Sequence, residues 1–124
     1  MKKKLRVLIA DDDPNLRDLW EVYVVRAGHV VVAVTVDGGE ALGIFEQRRD
    51  EIDLVITDYS MPRMSGTQLA RGVHALRPDT PVILVTGTTP SRIVPQEHNL
   101  PILEKPVFFE DFKAAIEKVA GGSK

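Results

Sequence analysis

Cysteine is missing from the chain altogether, which excludes disulfides, thiolate nucleophiles and sulfur-ligated metal centres. Positive charge is not in excess either: 16 lysines and arginines face 18 aspartates and glutamates, a formal net charge of -2. Nothing in that balance would neutralise a row of phosphates, so neither direct nucleic-acid binding nor electrostatic attachment to a membrane is expected. The basic run Lys2-Lys3-Lys4 is short and reads as a solvated chain end. Long apolar runs are also lacking. The run that follows the basic start stops at Asp11, too short for a signal peptide, and no stretch approaches the length of a membrane span. A soluble, cytoplasmic protein is the expectation.

What is present fits one globular unit. At 124 residues the chain is too short for two ordinary domains, and 44% hydrophobic with 27% charged residues is enough apolar material for one core. Residues 1–124 are read as a single domain with its core in 5–119 and a tail or linker in 120–124.

Apolar runs and helical periodicities alternate. Leu5 to Ala10 predicts a buried strand, and Asp13-Pro14 opens a helix whose apolar face carries Leu16, Leu19, Trp20, Tyr23 and Val24, closed by Gly28. His29 to Val36 predicts a second strand, and Asp37-Gly38-Gly39 turns into a helix facing inward through Ala41, Leu42 and Phe45. Leu54 to Thr57 is a third strand ending at Asp58. Ser65-Gly66 precedes a helix bearing Leu69, Val73 and Leu76, stopped by Pro78. Pro81 to Val85 is a fourth strand ending at Thr86, and Ile102 to Glu104 a fifth ending at Lys105. Phe112, Ile116 and Val119 mark a last helix. Such alternation predicts an α/β fold, a parallel sheet with helices on both faces. Trp20 reads as core, and the scattered His29, His74 and His98 as surface or half-buried residues without metal-ligand spacing.

In an open parallel sheet, ligands sit beyond the carboxyl ends of the strands. Four strands here end in reactive groups: Asp11-Asp12-Asp13, Asp58, Thr86 and Lys105. Crowded carboxylates repel, and a divalent cation relieves the repulsion; oxygen ligands favour magnesium, manganese or calcium over zinc. A cation, a lysine and a hydroxyl together suit the outer oxygens of a phosphoryl group, with a carboxylate among them as nucleophile. Each motif alone has a plainer reading: a capped turn at Asp11 to Asp13, a loop after Asp58, a surface lysine before Pro106. Their joint placement at successive strand ends favours the chemical one.

Val7-Leu8-Ile9-Ala10-Asp11-Asp12-Asp13-Pro14 resembles the opening of response-regulator receiver domains, the phospho-acceptor modules of two-component signalling. Val55-Ile56-Thr57-Asp58-Tyr59-Ser60-Met61-Pro62-Arg63-Met64-Ser65-Gly66 resembles that family's phosphorylation loop, and Val85-Thr86-Gly87 and Glu104-Lys105-Pro106 its two other signatures. The resemblance implies a doubly wound, flavodoxin-like sheet of five parallel strands in order 2-1-3-4-5. It makes Asp58 the phosphorylated carboxylate and assigns Mg2+ to Asp12, Asp58, the Ser60 carbonyl and, through water, Asp11. Thr86 and Lys105 would bind the phosphoryl oxygens, and the Lys105-Pro106 bond is expected to be cis. It further implies a signalling switch rather than an enzyme. Its partners would be a sensor histidine kinase or histidine phosphotransfer protein, with an output domain or partner protein downstream. A haloacid-dehalogenase-type phosphatase uses similar groups, but its Asp-x-Asp-x-Thr/Val pattern is broken by Asn15 and has no use for Asp58.

Two departures from the family stand out. Ile102 occupies a position that is usually aromatic, so a tyrosine-like swing is not expected there. The segment between Gly87 and Leu100 is short and interrupted by Pro90 and Pro95, which predicts a shortened or irregular fourth helix. Of the neighbouring Phe108 and Phe109, either could staple the last helix to the core; a ring left exposed would form part of a docking patch.

Overall fold

Short continuous runs of branched apolar side chains fit a sheet covered on both faces, and five such runs become its strands. The computed structural model describes residues 4–87 and 100–120. The strands are β1 (Arg6–Ala10), β2 (Val30–Thr35), β3 (Leu54–Asp58), β4 (Val82–Thr86) and β5 (Ile102–Glu104). All neighbouring pairs are parallel, in the order β2-β1-β3-β4-β5. Between and after them lie α1 (Pro14–Arg26), α2 (Gly38–Arg48), α3 (Gly66–Leu76) and α4 (Phe109–Ala120), with a 3-10 turn at Arg49–Glu51. The segment on which the expectation of a short fourth helix falls, 88–99, lies outside the described residues, as do His98 and the tail 121–124.

Helix starts follow their caps. Asp13 accepts from the Asn15 and Leu16 amides ahead of α1, and Pro14 occupies the first turn, where no amide is needed. Asp37 accepts from the Glu40 amide while Glu40 Oε1 accepts from the Val36 amide, fixing the entry to α2. Ser65 and Gln68 form a reciprocal capping box on α3. Gly28, at φ +95°, takes the left-handed conformation that ends α1.

Alternation along the strands sorts the core into two layers. Val7, Ile9, Leu54, Ile56, Ile83 and Val85 pack with Trp20, Val24, Phe112 and Ile116 on the face covered by α1 and α4. Leu8, Ala10, Val55 and Val82 pack with Ala41, Phe45, Leu69 and Val73 on the face covered by α2 and α3. Ile102 is half-buried at the start of β5, opposite Leu84. Among the described residues no helix is long and apolar enough to cross a membrane.

One histidine departs from expectation. His29 is buried, because its Nδ1 accepts the Leu5 amide at 2.9 Å and seals the amino end of β1. His74 is half-buried, with Nε2 2.8 Å from the Thr80 carbonyl. Of the two phenylalanines, Phe109 lies 5.3 Å from the Tyr23 ring and under the Arg26 guanidinium, whereas Phe108 is 66% exposed.

Candidate functional site

Parallel register carries the reactive residues to one edge. Ala10 pairs with Thr57 and Asp58 with Val85, so Asp11 and Asp58 leave adjacent strands side by side. Thr86 pairs with Glu104, and the Lys105 amide donates to the Thr86 carbonyl at 2.7 Å. The Lys105-Pro106 bond is cis.

Asp11, Asp12 and Asp58 each offer a carboxylate oxygen within 4.8 Å of the others. Asp11 is fully buried, Asp58 is buried and Asp12 is exposed, so the cluster opens to solvent on one side. An all-oxygen, all-anionic donor set of this size fits a hard divalent cation such as Mg2+ and offers nothing to a soft one. Lys105 Nζ stands 2.9 Å from Asp58 Oδ1. Despite that ion pair, the Asp58 carboxyl is held above the ordinary carboxylate range. Burial is the largest cause; the Lys105 hydrogen bond opposes it, and the charges of Asp11 and Asp12 add to the rise. Three carboxylates share this edge with one lysine ammonium, an arrangement that a divalent cation would help to neutralise. Thr86 is buried at the end of β4, and Ser60 is exposed two residues beyond Asp58.

The loop after Asp58 is held by backbone. The Tyr59 amide donates to the Val85 carbonyl and the Gly66 amide to the Tyr59 carbonyl, each at 2.8 Å. A methyl group on Gly66 would overlap the Asp58 carbonyl oxygen and come to 3.0 Å of Leu84 Cδ2, so only glycine lets α3 start this close to the site. One on Gly38 would meet the Met64 carbonyl at 2.8 Å. Arg63 takes φ +68°, with the Met64 amide bonded to the Pro62 carbonyl at 2.7 Å, and its guanidinium reaches Asp37 at 3.5 Å.

Sequence reasoning missed one side chain here. Trp20 is core, as expected, but its Nε1 also donates to Asp11 Oδ2 at 2.8 Å. Helical periodicity turns Trp20 inward without naming the acceptor it meets. The signal available was chemical: a buried indole N–H needs an acceptor, and the first strand ends in carboxylates.

The family model described as "Response regulator receiver domain" matches residues 7–117. The chain is 32% identical over 118 residues to the transcriptional regulatory protein GlrR of Escherichia coli, an alignment covering 93% of this chain and 26% of GlrR. The chain thus spans about a quarter of that relative's length. It is 30% identical over 118 residues to the response regulator receiver protein CpdR of Brucella abortus, covering 92% of this chain and 95% of CpdR. Among solved structures, a response regulator receiver domain protein from Clostridium thermocellum superposes with a TM-score of 0.85 at 28% identity, covering 94% of both chains.

Proposed function

The chain belongs to the response regulator receiver domain family, and from that premise we propose that it is a phosphorylation-controlled switch whose acceptor is Asp58. The observation that carries the reading is the joint geometry at the sheet edge: three carboxylates within 4.8 Å of one another, with a lysine ammonium on Asp58. The donor is a phosphohistidine on a sensor histidine kinase or histidine phosphotransfer protein. A carboxylate oxygen of Asp58 forms the new bond to phosphorus as the phosphorus–nitrogen bond breaks. The imidazole leaves with the electron pair. Asp11, Asp12, Asp58 and the Ser60 carbonyl would hold Mg2+, which when bound supplies charge to offset the carboxylates and the phosphoryl oxygens. Lys105, already beside Asp58, moves its ammonium onto a phosphoryl oxygen, and the Thr86 hydroxyl donates to another. The output is a change of surface read by a partner protein or an attached output domain. Residues 1–124 would form one such cytoplasmic domain with its core in 5–119; Ala120, expected in the tail, belongs instead to the last helix.

Treatment with acetyl phosphate and Mg2+, followed by intact-mass and peptide mass spectrometry, tests the assignment. One phosphoryl group is expected, on Asp58, lost in Asp58→Asn and on chelation of Mg2+. Labelling at another residue, or undiminished labelling of Asp58→Asn, would sink it.

A further inference from the structure

Both oxygens of the Asp11 carboxylate are already engaged by this chain. Oδ1 accepts the Asp13 amide at 2.9 Å and Oδ2 accepts Trp20 Nε1 at 2.8 Å. A carboxylate oxygen has two lone pairs, so each keeps one free to face a cation or its bound water. The first donor is backbone, set by the turn into α1. The second is a side chain nine positions along the chain, and it is the one that could be absent.

The ring that carries this donor is locked. Trp20 is 1% exposed and stacks on Phe112 with centroids 5.6 Å apart and planes 4° from parallel, while Tyr23 leans on it at 5.9 Å. Tyr23 is in turn fixed by its hydroxyl, which donates to the Val107 carbonyl at 3.1 Å. An indole N–H donates and cannot accept, so its only polar capacity is spent on Asp11. Packing alone does not account for the arrangement, since a phenylalanine or leucine would fill an apolar site without requiring an anionic acceptor.

We infer that Trp20 is a positioning residue for the cation site, its indole N–H holding the Asp11 carboxylate in the direction from which it serves Mg2+. The inference rests on the reading of Asp11, Asp12 and Asp58 as a Mg2+ site. A donor behind a metal-facing carboxylate sets the orientation of the oxygen that faces the ion. Losing such a partner typically weakens metal binding by about 10- to 100-fold. Trp20 acts through Asp11 and touches neither cation nor phosphoryl group.

The test is calorimetric titration with Mg2+ of the parent chain and Trp20→Phe, which keeps an aromatic ring against Phe112 and removes the N–H. The Mg2+ dissociation constant is expected to rise by about 10- to 100-fold. Phenylalanine is smaller, so a second replacement guards against a packing defect. Because Trp20 is the single tryptophan, biosynthetic replacement of tryptophan by its benzothienyl analogue puts sulfur in place of the N–H at this position alone. The analogue should match the parent in thermal midpoint without metal and still lose Mg2+ affinity. Equal affinities, within twofold, for analogue and parent would overturn the positioning role. Failure of the parent itself to bind Mg2+ would instead overturn the reading of the site, and this inference with it.

Discussion

The two faces of the sheet support the same edge by different means. On the face of α1 and α4 the core is aromatic: Trp20, Tyr23, Phe109 and Phe112 interlock, and one of them donates a hydrogen bond directly to Asp11. On the face of α2 and α3 the core is mainly aliphatic around Phe45, and support reaches the site through backbone, with Gly66 against the Asp58 carbonyl and Gly38 against Met64. The first face fixes a carboxylate by a side-chain donor, the second fixes a loop by letting chains approach closely. A side-chain donor is lost by replacing a single N–H. Close backbone approach is lost by adding a single carbon.

The strongest blow to the comparison falls on the aromatic face. Phe112→Ala removes a fully buried ring that contacts both Trp20 and Tyr23. A loss of about 3–5 kcal/mol is expected, read by urea unfolding. Mg2+ affinity should fall as well, because the ring that aims the Trp20 N–H loses its stacking partner. Unfolding by this amount with unchanged Mg2+ affinity would separate core packing from the site and break the comparison.

Next in size is Gly66→Ala on the opposite face. The added carbon meets backbone, which cannot rotate away as a side chain would, so about 2–3 kcal/mol of destabilisation is expected in the same assay. Phosphoryl uptake should drop with it, since the Asp58 carbonyl is the atom displaced. A fully stable, fully active variant would show that the loop can give.

How much of this was legible beforehand differs along the same lines. Runs of branched residues ending in Asp11, Asp58, Thr86 and Lys105 announce strands with reactive ends, because strand formation depends on local pattern. The order of the sheet came with the resemblance to a family and not from periodicity. Trp20's bond to Asp11, the burial of His29 by the Leu5 amide and the tight seat of Gly66 are pairings between distant or packed atoms, which no local pattern encodes. Arg63's left-handed backbone is likewise set by the loop around it, between Met64 and Asp37, and arginine itself gives no hint of it.

A smaller effect concerns the charge shared by the two faces. The folded protein holds the Asp58 carboxyl above its unfolded value, chiefly by burial. The folded state therefore binds that proton more tightly than the unfolded chain, and ionising Asp58 costs stability as pH rises through the window above the ordinary aspartate range. Without divalent metal, Asp58→Asn is expected to melt a few degrees higher than the parent at pH 7. The gap should close as pH falls toward 4. Adding Mg2+ should narrow or reverse the difference at pH 7, since the cation stabilises only the form that binds it. Thermal melts across pH, with and without Mg2+, check the sign; a parent more stable than the variant in chelator would contradict it.

The smallest effect lies at the outer end of the aromatic face. Phe108 precedes α4, and its carbonyl accepts from the Asp111 and Phe112 amides, both at 3.1 Å. It thus holds the place where a capping side chain belongs, yet a phenyl ring has no oxygen to offer the first-turn amides. Its ring is 66% exposed, so little apolar burial is lost on removing it. Phe109, by contrast, is secured by Tyr23 and Arg26 and staples the helix. Phe108→Ser should therefore raise stability by about 0.5–1 kcal/mol through the added cap, measured by urea unfolding. If Phe108→Ser is the firmer protein, the exposed ring is better explained by docking than by stability. The same variant tested for phosphotransfer from its cognate histidine kinase, or for binding a downstream partner, should show a weaker interaction despite its firmer helix. A variant that is less stable than the parent would mean the ring already packs on the chain, and the aromatic face would then extend to the surface.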